Sequence, residues 1–225
     1  KRNNIALINN KKFKKIFNRN KYKSKLKLVN KFNFEKIKKK FKNNYLNSEI
    51  NRENMKFVYA LSKLLKINDK NLIKSIESFK GLSHRHEIFL RRNKKVFIND
   101  SKATTFESSK FALKSNKNIF WIVGGLPKKG DKFKFGNIKK NITKSYIIGK
   151  YFKFFRNQLN GKIPFEYSKT LRKAVISIFK DLKNNKNQIT ILLSPASASY
   201  DQFNNFEERG NQFKKLIKFY ERKYG

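Results

Sequence analysis

Four short segments hold most of the residues whose types and spacing could do chemistry: GLSHRHE at 81–87, NDSKAT at 99–104, GGLPKKGD at 124–131 and SPASASYDQFNNFEERGNQF at 194–213. Asp100 to Thr104 follow one apolar run, Lys128 follows Gly124 and Gly125 after a second, and Ser194 to Ser199 follow a third. Lysine and hydroxyl donors of this kind suit the holding of carboxylates. Each residue also has a plainer reading. Asp100, Ser101 or Thr104 could cap the helix that follows. Gly124 and Gly125 could be no more than a tight turn, and Lys128 is one lysine among many. Ser194 to Ser199 could start a helix where backbones approach closely. Glu207, Glu208 and Arg209 read as structural helix charges, and Phe203 and Phe206 as core packing.

The elements that must position these segments follow from the apolar pattern. Short β-rich runs lie at 96–100, 118–125, 146–149 and 189–194, with helix candidates near 106–115, 150–159, 170–184 and 204–223 between and after them. Alternating strand and helix implies an α/β fold, a Rossmann-like and mostly parallel sheet with helices on both faces. Its ligands would sit at the carboxyl ends of the strands, where the polar clusters could converge on one crevice. Upstream, a strand candidate covers Ile5 to Ile8. Met55, Val58, Ala60, Leu61, Leu64 and Leu65 then recur at helical spacing, and Leu72, Ile73, Ile76 and Phe79 form a second helical set that stops at Gly81. The change of pattern predicts one domain over 1–80 and another over 81–225, with a hinge near Gly81 to Ser83. No repeat of fixed period is present.

Composition bounds the function classes. With 225 residues, 38% hydrophobic and 15% aromatic, the chain can bury a core. Lys+Arg 56 against Asp+Glu 15 gives +41, which points towards a polyanion partner. The same excess of Lys, Asn, Ile and Phe, with the charge spread over the whole chain, fits the codon bias of an AT-rich genome, and we weight that explanation more heavily. A basic nucleic-acid-binding protein is the rival reading, with lysines and aromatics interleaved as in YFKFF at 151–155. No cysteine is present and there are two histidines, which excludes a disulfide framework and a thiolate metal site and disfavours a metal cage. No apolar stretch approaches the roughly 20 residues of a membrane span, and the start carries no signal-peptide core. The expectation is a cytoplasmic protein, by default a monomer, with no membrane insertion and no specific nucleic acid as partner.

In order and spacing the four segments resemble the C-terminal domain of the D-glutamate-adding enzymes of the Mur ligase family, over about Asn51 to Tyr220. The long last segment, running through DQFNNFEERG, is the specific part. The resemblance implies the end of a central ATP-binding domain followed by a D-glutamate-binding domain. It implies a ligase of peptidoglycan synthesis that joins D-glutamate to UDP-N-acetylmuramoyl-L-alanine through an acyl phosphate, with ATP and Mg²⁺ as cofactors. By correspondence, Thr104, Lys128, Ser199 and the backbone of Tyr200 grip D-glutamate, and Phe206 closes the pocket wall. Lys102 and Arg85 are the catalytic cations near the reacting phosphate. Asp100 accepts from ribose hydroxyls, His84 approaches the nucleotide, and Asn51 and Asn54 lie on the adenine side.

The chain departs from the family pattern at Ile50, where a histidine is usual, at Ser83 for proline, at Ser197 for cysteine, and at Leu126 and Pro127 for Asp-Gly. It contains no G-x-x-x-x-G-K-[ST] phosphate loop, since neither Gly149-Lys150 nor Gly161-Lys162 is followed by Ser or Thr. Together with a start at Lys1 in mid-pattern, this leads to the expectation of a fragment that is inactive alone, with its metal ligands elsewhere.

Overall fold

The computed structural model describes residues 4–43, 45–47, 49–182 and 187–224, without the side chains of residues 49 and 50. The chain divides into two compact units, Lys1–Gly81 and Leu82–Gly225. The first holds β1 (Ile5–Ile8), α1 (Lys11–Arg19), β2 (Lys25–Leu28), α2 (Glu35–Lys38), α3 (Glu49–Leu64) and α4 (Asp69–Ser78). β1 and β2 pair in parallel across the α1 crossover. Asparagines set two helix starts: Asn10 accepts from the Lys12 N–H and Asn68 from the Asn71 N–H. The core of this unit is Phe34, Ile37, Phe41, Met55, Tyr59, Leu72 and Ile76. Of the apolar residues read along α3, Met55 and Ala60 are buried, whereas Val58, Leu61 and Leu65 stand exposed.

The second unit runs β3 (Glu87–Arg92), β4 (Lys95–Asn99), α5 (Phe106–Ser115), β5 (Ile119–Gly124), β6 (Ile142–Ile148), α6 (Phe152–Leu159), β7 (Phe165–Lys169), α7 (Leu171–Asp181), β8 (Ile189–Leu193) and α8 (Phe206–Tyr224). Its sheet has the order β3-β4-β8-β5-β6-β7. Only β3 is antiparallel to its neighbour. A parallel strand covered on both faces reads as a continuous apolar run, and IFWIVG of β5 is buried at every position.

Side-chain alternation sorts the strands' residues into two cores. Val96, Ile98, Trp121, Val123, Ile147 and Leu192 pack with Phe106 and Leu113 of α5 and with Phe155 and Leu159 of α6. Phe97, Phe120, Ile122, Tyr146, Ile191 and Leu193 pack with Val175 and Ile178 of α7 and with Phe213 and Ile217 of α8. Burial of each such side chain stabilises the fold by roughly 1.5–3 kcal/mol, so this unit is a rigid platform for the loops at its strand ends.

The second unit has the α/β architecture expected from the pattern, with two strands added. β3 and β7 went unread because both are edge strands with partly exposed residues: β7 has no apolar run, and the Ile88–Leu90 run of β3 is short and followed by two arginines. The decisive feature of the topology is the last strand. β8 inserts between β4 and β5, so the loops that leave β4, β8 and β5 are immediate neighbours at the carboxyl end of the sheet.

Candidate functional site

The β4 loop begins by extending the sheet, with the Asp100 N–H donating to the Leu193 carbonyl at 2.8 Å. It ends at Thr105, whose side chain accepts from the Ser108 N–H in a capping box that starts α5. The cap is therefore Thr105, and neither Asp100, Ser101 nor Thr104 serves as it. Asp100 is buried at 6% exposure. Its Oδ1 accepts from the His86 N–H at 3.0 Å and its Oδ2 from the Ser194 hydroxyl at 2.7 Å. Burial pushes its carboxyl up to about 6, against the pull of Ser194, His86 and the Arg85 charge. Asp100 thus ties three segments together, and both oxygens the ribose reading would use already carry a bond.

The β5 loop is built on Gly124-Gly125. A Cβ on Gly125, which has φ +131°, would collide with the Ala198 carbonyl and the Ser197 hydroxyl. The pair is more than a tight turn, because the loop after β8 lies directly on it. Leu126 and Ala198 exchange backbone hydrogen bonds at 2.9 and 3.0 Å, and the Ser197 hydroxyl donates to the Gly124 carbonyl at 2.6 Å. Further along, Asp131 accepts from the Phe106 N–H at 2.9 Å, and Phe133 stacks on Phe106 with centroids 4.4 Å apart. These contacts hold the loop of Lys128, an exposed lysine, against the start of α5 next to exposed Thr104.

After β8, Ser199 is buried and its carbonyl accepts from the Gln202 and Phe203 N–H groups. Tyr200 turns its side chain outward at 71% exposure, so backbone is what it offers the site. Asp201 reaches the Lys150 N–H at 3.0 Å and joins the end of β6 to the cluster. Phe206 opens α8. The Lys102 ammonium stands 5.0 Å from the centre of its ring, and its carbonyl accepts from the Ser101 hydroxyl at 2.8 Å.

The 82–87 segment is fixed to the same cluster. The Lys102 N–H donates to the His84 carbonyl at 3.0 Å, which keeps the loops of Arg85 and Lys102 adjacent, and both cations are exposed. His84 has φ +63° and His86 φ +47°, left-handed backbone that is uncommon outside glycine. His84 itself is buried. Its ring nitrogen meets the Asn99 amide at 2.9 Å and its ring stands edge-on to Phe206. Burial, and then the nearby Lys214 charge, lower its pKa and favour the neutral ring. Glu87 anchors the turn by accepting from the His84 N–H, the Asn99 amide and Lys214 at 2.9–3.0 Å. Burial would raise its pKa, but the His84 N–H and Lys214 outweigh that and leave it lowered.

Arg209 is a structural helix charge, as the sequence reading had it, but with a larger part than that reading gave it. Read as a helix charge, it is 0% exposed and clamps two loops at once. Nε donates to the Ser101 hydroxyl at 3.0 Å, and Nη2 donates to the Ser101 carbonyl at 2.8 Å and the Ser197 carbonyl at 3.0 Å. Its Nη1 is buried without a partner beside Gly125. Burial lowers its pKa to about 10, and the Asp201 carboxylate opposes the shift. Helical spacing could have revealed it, since 206, 209, 213, 217 and 220 share the inward face of α8. Gly210 completes the fit: a Cβ there would run into the His84 ring.

The second unit therefore gathers His84, Arg85, Asp100, Lys102, Thr104, Lys128, Ser199 and Phe206 at one end of its sheet. Asn51 and Asn54 belong to α3 of the first unit, where the Asn51 amide donates to the Tyr45 carbonyl at 2.8 Å. The side chain of Ile50 lies outside the described residues. Among the described residues no group of three or more His, Cys, Asp or Glu could hold a metal ion. None of their helices is long and apolar enough to cross a membrane.

No family model matches the chain. It is 40% identical over 172 residues to a UDP-N-acetylmuramoylalanine–D-glutamate ligase of Wolbachia sp. subsp. Brugia malayi, covering 76% of this chain and 34% of that protein. A protein of the same name from Brucella abortus is 44% identical over 144 residues, 63% of this chain and 31% of its own length. The chain thus spans about a third of the length of the curated relatives it matches. The crystal structure of MurF from Acinetobacter baumannii has a similar fold, with a TM-score of 0.54 at 14% identity over 76% of this chain and 38% of that one. At 40% identity over 76% of its own length, the chain belongs to the UDP-N-acetylmuramoylalanine–D-glutamate ligase family.

Proposed function

We propose that residues 82–225 form the D-glutamate-binding domain of an ATP-dependent ligase. In this reading the enzyme extends UDP-N-acetylmuramoyl-L-alanine in the cytoplasm, and residues 1–81 are the end of its central domain. The observation that carries the proposal is the convergence of the β4, β5 and β8 loops, the first and last crosslinked by Arg209 and Asp100 and the β5 loop joined to the β8 loop through Ser197 and Ala198, with Lys128, Thr104 and Ser199 on the shared end. An amino acid with two carboxylates needs cationic and hydroxyl donors for both while its amine stays free to attack, and three loops on one rigid sheet offer that arrangement. Lys128 and Thr104 would take one carboxylate, and Ser199 with the Tyr200 N–H the other. Phe206 would exclude water from one side.

Bound ATP would supply the phosphoryl group that activates the acyl carboxyl. Arg85 and Lys102 fit its phosphates, being exposed cations on loops joined by the Lys102–His84 backbone bond. Their task would be to hold negative charge as it shifts during transfer, where stabilisation is worth most. Among the described residues no cluster of three or more carboxylate or histidine ligands is offered to Mg²⁺.

The test is calorimetric titration of D-glutamate and L-glutamate into the chain and its Lys128→Ala variant. D-Glutamate should bind in preference, and K128A should weaken it about tenfold or more while the unfolding midpoint holds, since Lys128 is exposed. Equal binding of the two enantiomers, or an unchanged affinity in K128A, would refute the assignment.

A further inference from the structure

A second ligand surface lies away from the loops just described. Between α7 and α8 runs an open groove of about 280 Å³ whose walls carry Phe179, Phe219, Tyr220 and Tyr224. Its rim carries Arg172, Lys180 and Lys223. At 1.5 Å per residue, Tyr224 lies about 27 Å along α8 from Phe206, so the groove is separate from the candidate site. Its volume falls short of the roughly 300–1,000 Å³ of enclosed small-molecule pockets, and it suits the tracking of a chain rather than engulfing a metabolite.

A net charge of +41 makes much of the surface cationic, so charge alone does not single out this place. What marks it is a groove whose lining brings outward-turned rings and free cations together. Phe219 is 57% and Tyr224 54% exposed, although rings of that size gain most from burial. Tyr220 and Tyr224 lie parallel, at 10° and 6.0 Å between centroids, with Lys223 5.3 Å from the Tyr224 ring. The carboxylates on these stretches of helix are already engaged. Glu221 is 1% exposed and paired with Lys95 at 3.0 Å, while Asp181 is paired with Lys144 at 2.7 Å and accepts from the Tyr146 hydroxyl. Neither neutralises Arg172, Lys180 or Lys223.

We infer that the α7–α8 groove binds single-stranded nucleic acid, with bases stacked on Phe219 and Tyr224 and phosphates on Arg172, Lys180 and Lys223. A polymer that alternates flat rings with negative charges satisfies both halves of the surface. An acidic peptide or an anionic lipid headgroup would use the cations and leave the rings uncovered. The inference is independent of the ligase reading and holds or fails without it.

The experiment measures binding of the chain to a labelled short oligothymidylate by fluorescence anisotropy, with inorganic polyphosphate as a probe that has charge and no bases. Phe219→Leu with Tyr224→Leu keeps every charge and removes rings that are more than half exposed. It should weaken oligothymidylate binding about tenfold or more and leave polyphosphate binding unchanged. A second variant, Arg172→Gln/Lys180→Gln/Lys223→Gln, should weaken both probes more than the equal charge loss of Lys38→Gln/Lys39→Gln/Lys40→Gln in the first unit. An unchanged oligothymidylate affinity in the ring variant, or equal losses in the two charge variants, overturns the assignment. Loss of binding to phosphatidylglycerol vesicles with oligothymidylate binding intact also overturns it, in favour of a membrane surface.

Discussion

Replacing Asp100 by Asn should uncover a rise of stability with pH that is masked in the natural protein. The folded-state carboxyl is pushed up to about 6 from an ordinary value of 3.8. A carboxyl raised in the folded state contributes stability that is fully present below the unfolded value and is lost as pH rises through the folded one. Over the whole titration that loss amounts to about 3 kcal/mol, of which about 2 kcal/mol falls between pH 4 and 6. His86 acts in the opposite sense. Burial holds its ring down at about 4 from 6.5, so its contribution is present above pH 6.5 and is lost as pH falls towards 4. The two nearly cancel in the natural protein. In Asp100→Asn the amide oxygen can still accept the His86 N–H, and the amide nitrogen can donate to a reoriented Ser194 hydroxyl, so geometry is kept while the titration disappears.

The assay is urea unfolding of both proteins at pH 4, 5, 6 and 7, followed by fluorescence. The single tryptophan, Trp121, is 0% exposed in the core of the second unit and reports on that unit. Repulsion among the other charges is common to both proteins and cancels in the difference. The stability of Asp100→Asn minus that of the natural protein should grow by about 2.5 kcal/mol from pH 4 to 7. A flat difference, or one that falls with pH, would refute the account of Asp100 as a desolvated crosslink.

Arg209→Lys should cost about 3 kcal/mol or more in the same assay, because one ammonium cannot replace a fork that reaches three acceptors in two loops; a loss below about 0.5 kcal/mol would contradict the clamp. Gly210→Ala would gain about 1 kcal/mol in an open helix. Here denaturation should show it destabilised by about 2 kcal/mol or more, since the new Cβ meets the His84 ring.

Much of this protein is legible in its sequence. Apolar runs such as IFWIVG and ITILL specify buried parallel strands because both faces must be covered, and the helix spacing between them dictates an α/β layer structure. The four polar segments are equally visible, since cations and hydroxyls after apolar runs have few structural reasons to recur. Tertiary structure decided what the pattern could not carry. The edge strands β3 and β7 are strands only because a neighbour pairs with them. The cap of α5 went to Thr105, leaving Asp100 to crosslink His86 and Ser194. Arg209, one cation among many along the chain, became the buried clamp because β8 inserts between β4 and β5 and brings the Ser101 and Ser197 carbonyls to the same guanidinium. Local sequence fixes which residues lie on a strand, a helix face or a loop, but the partners that meet across some 108 residues are set by strand order alone.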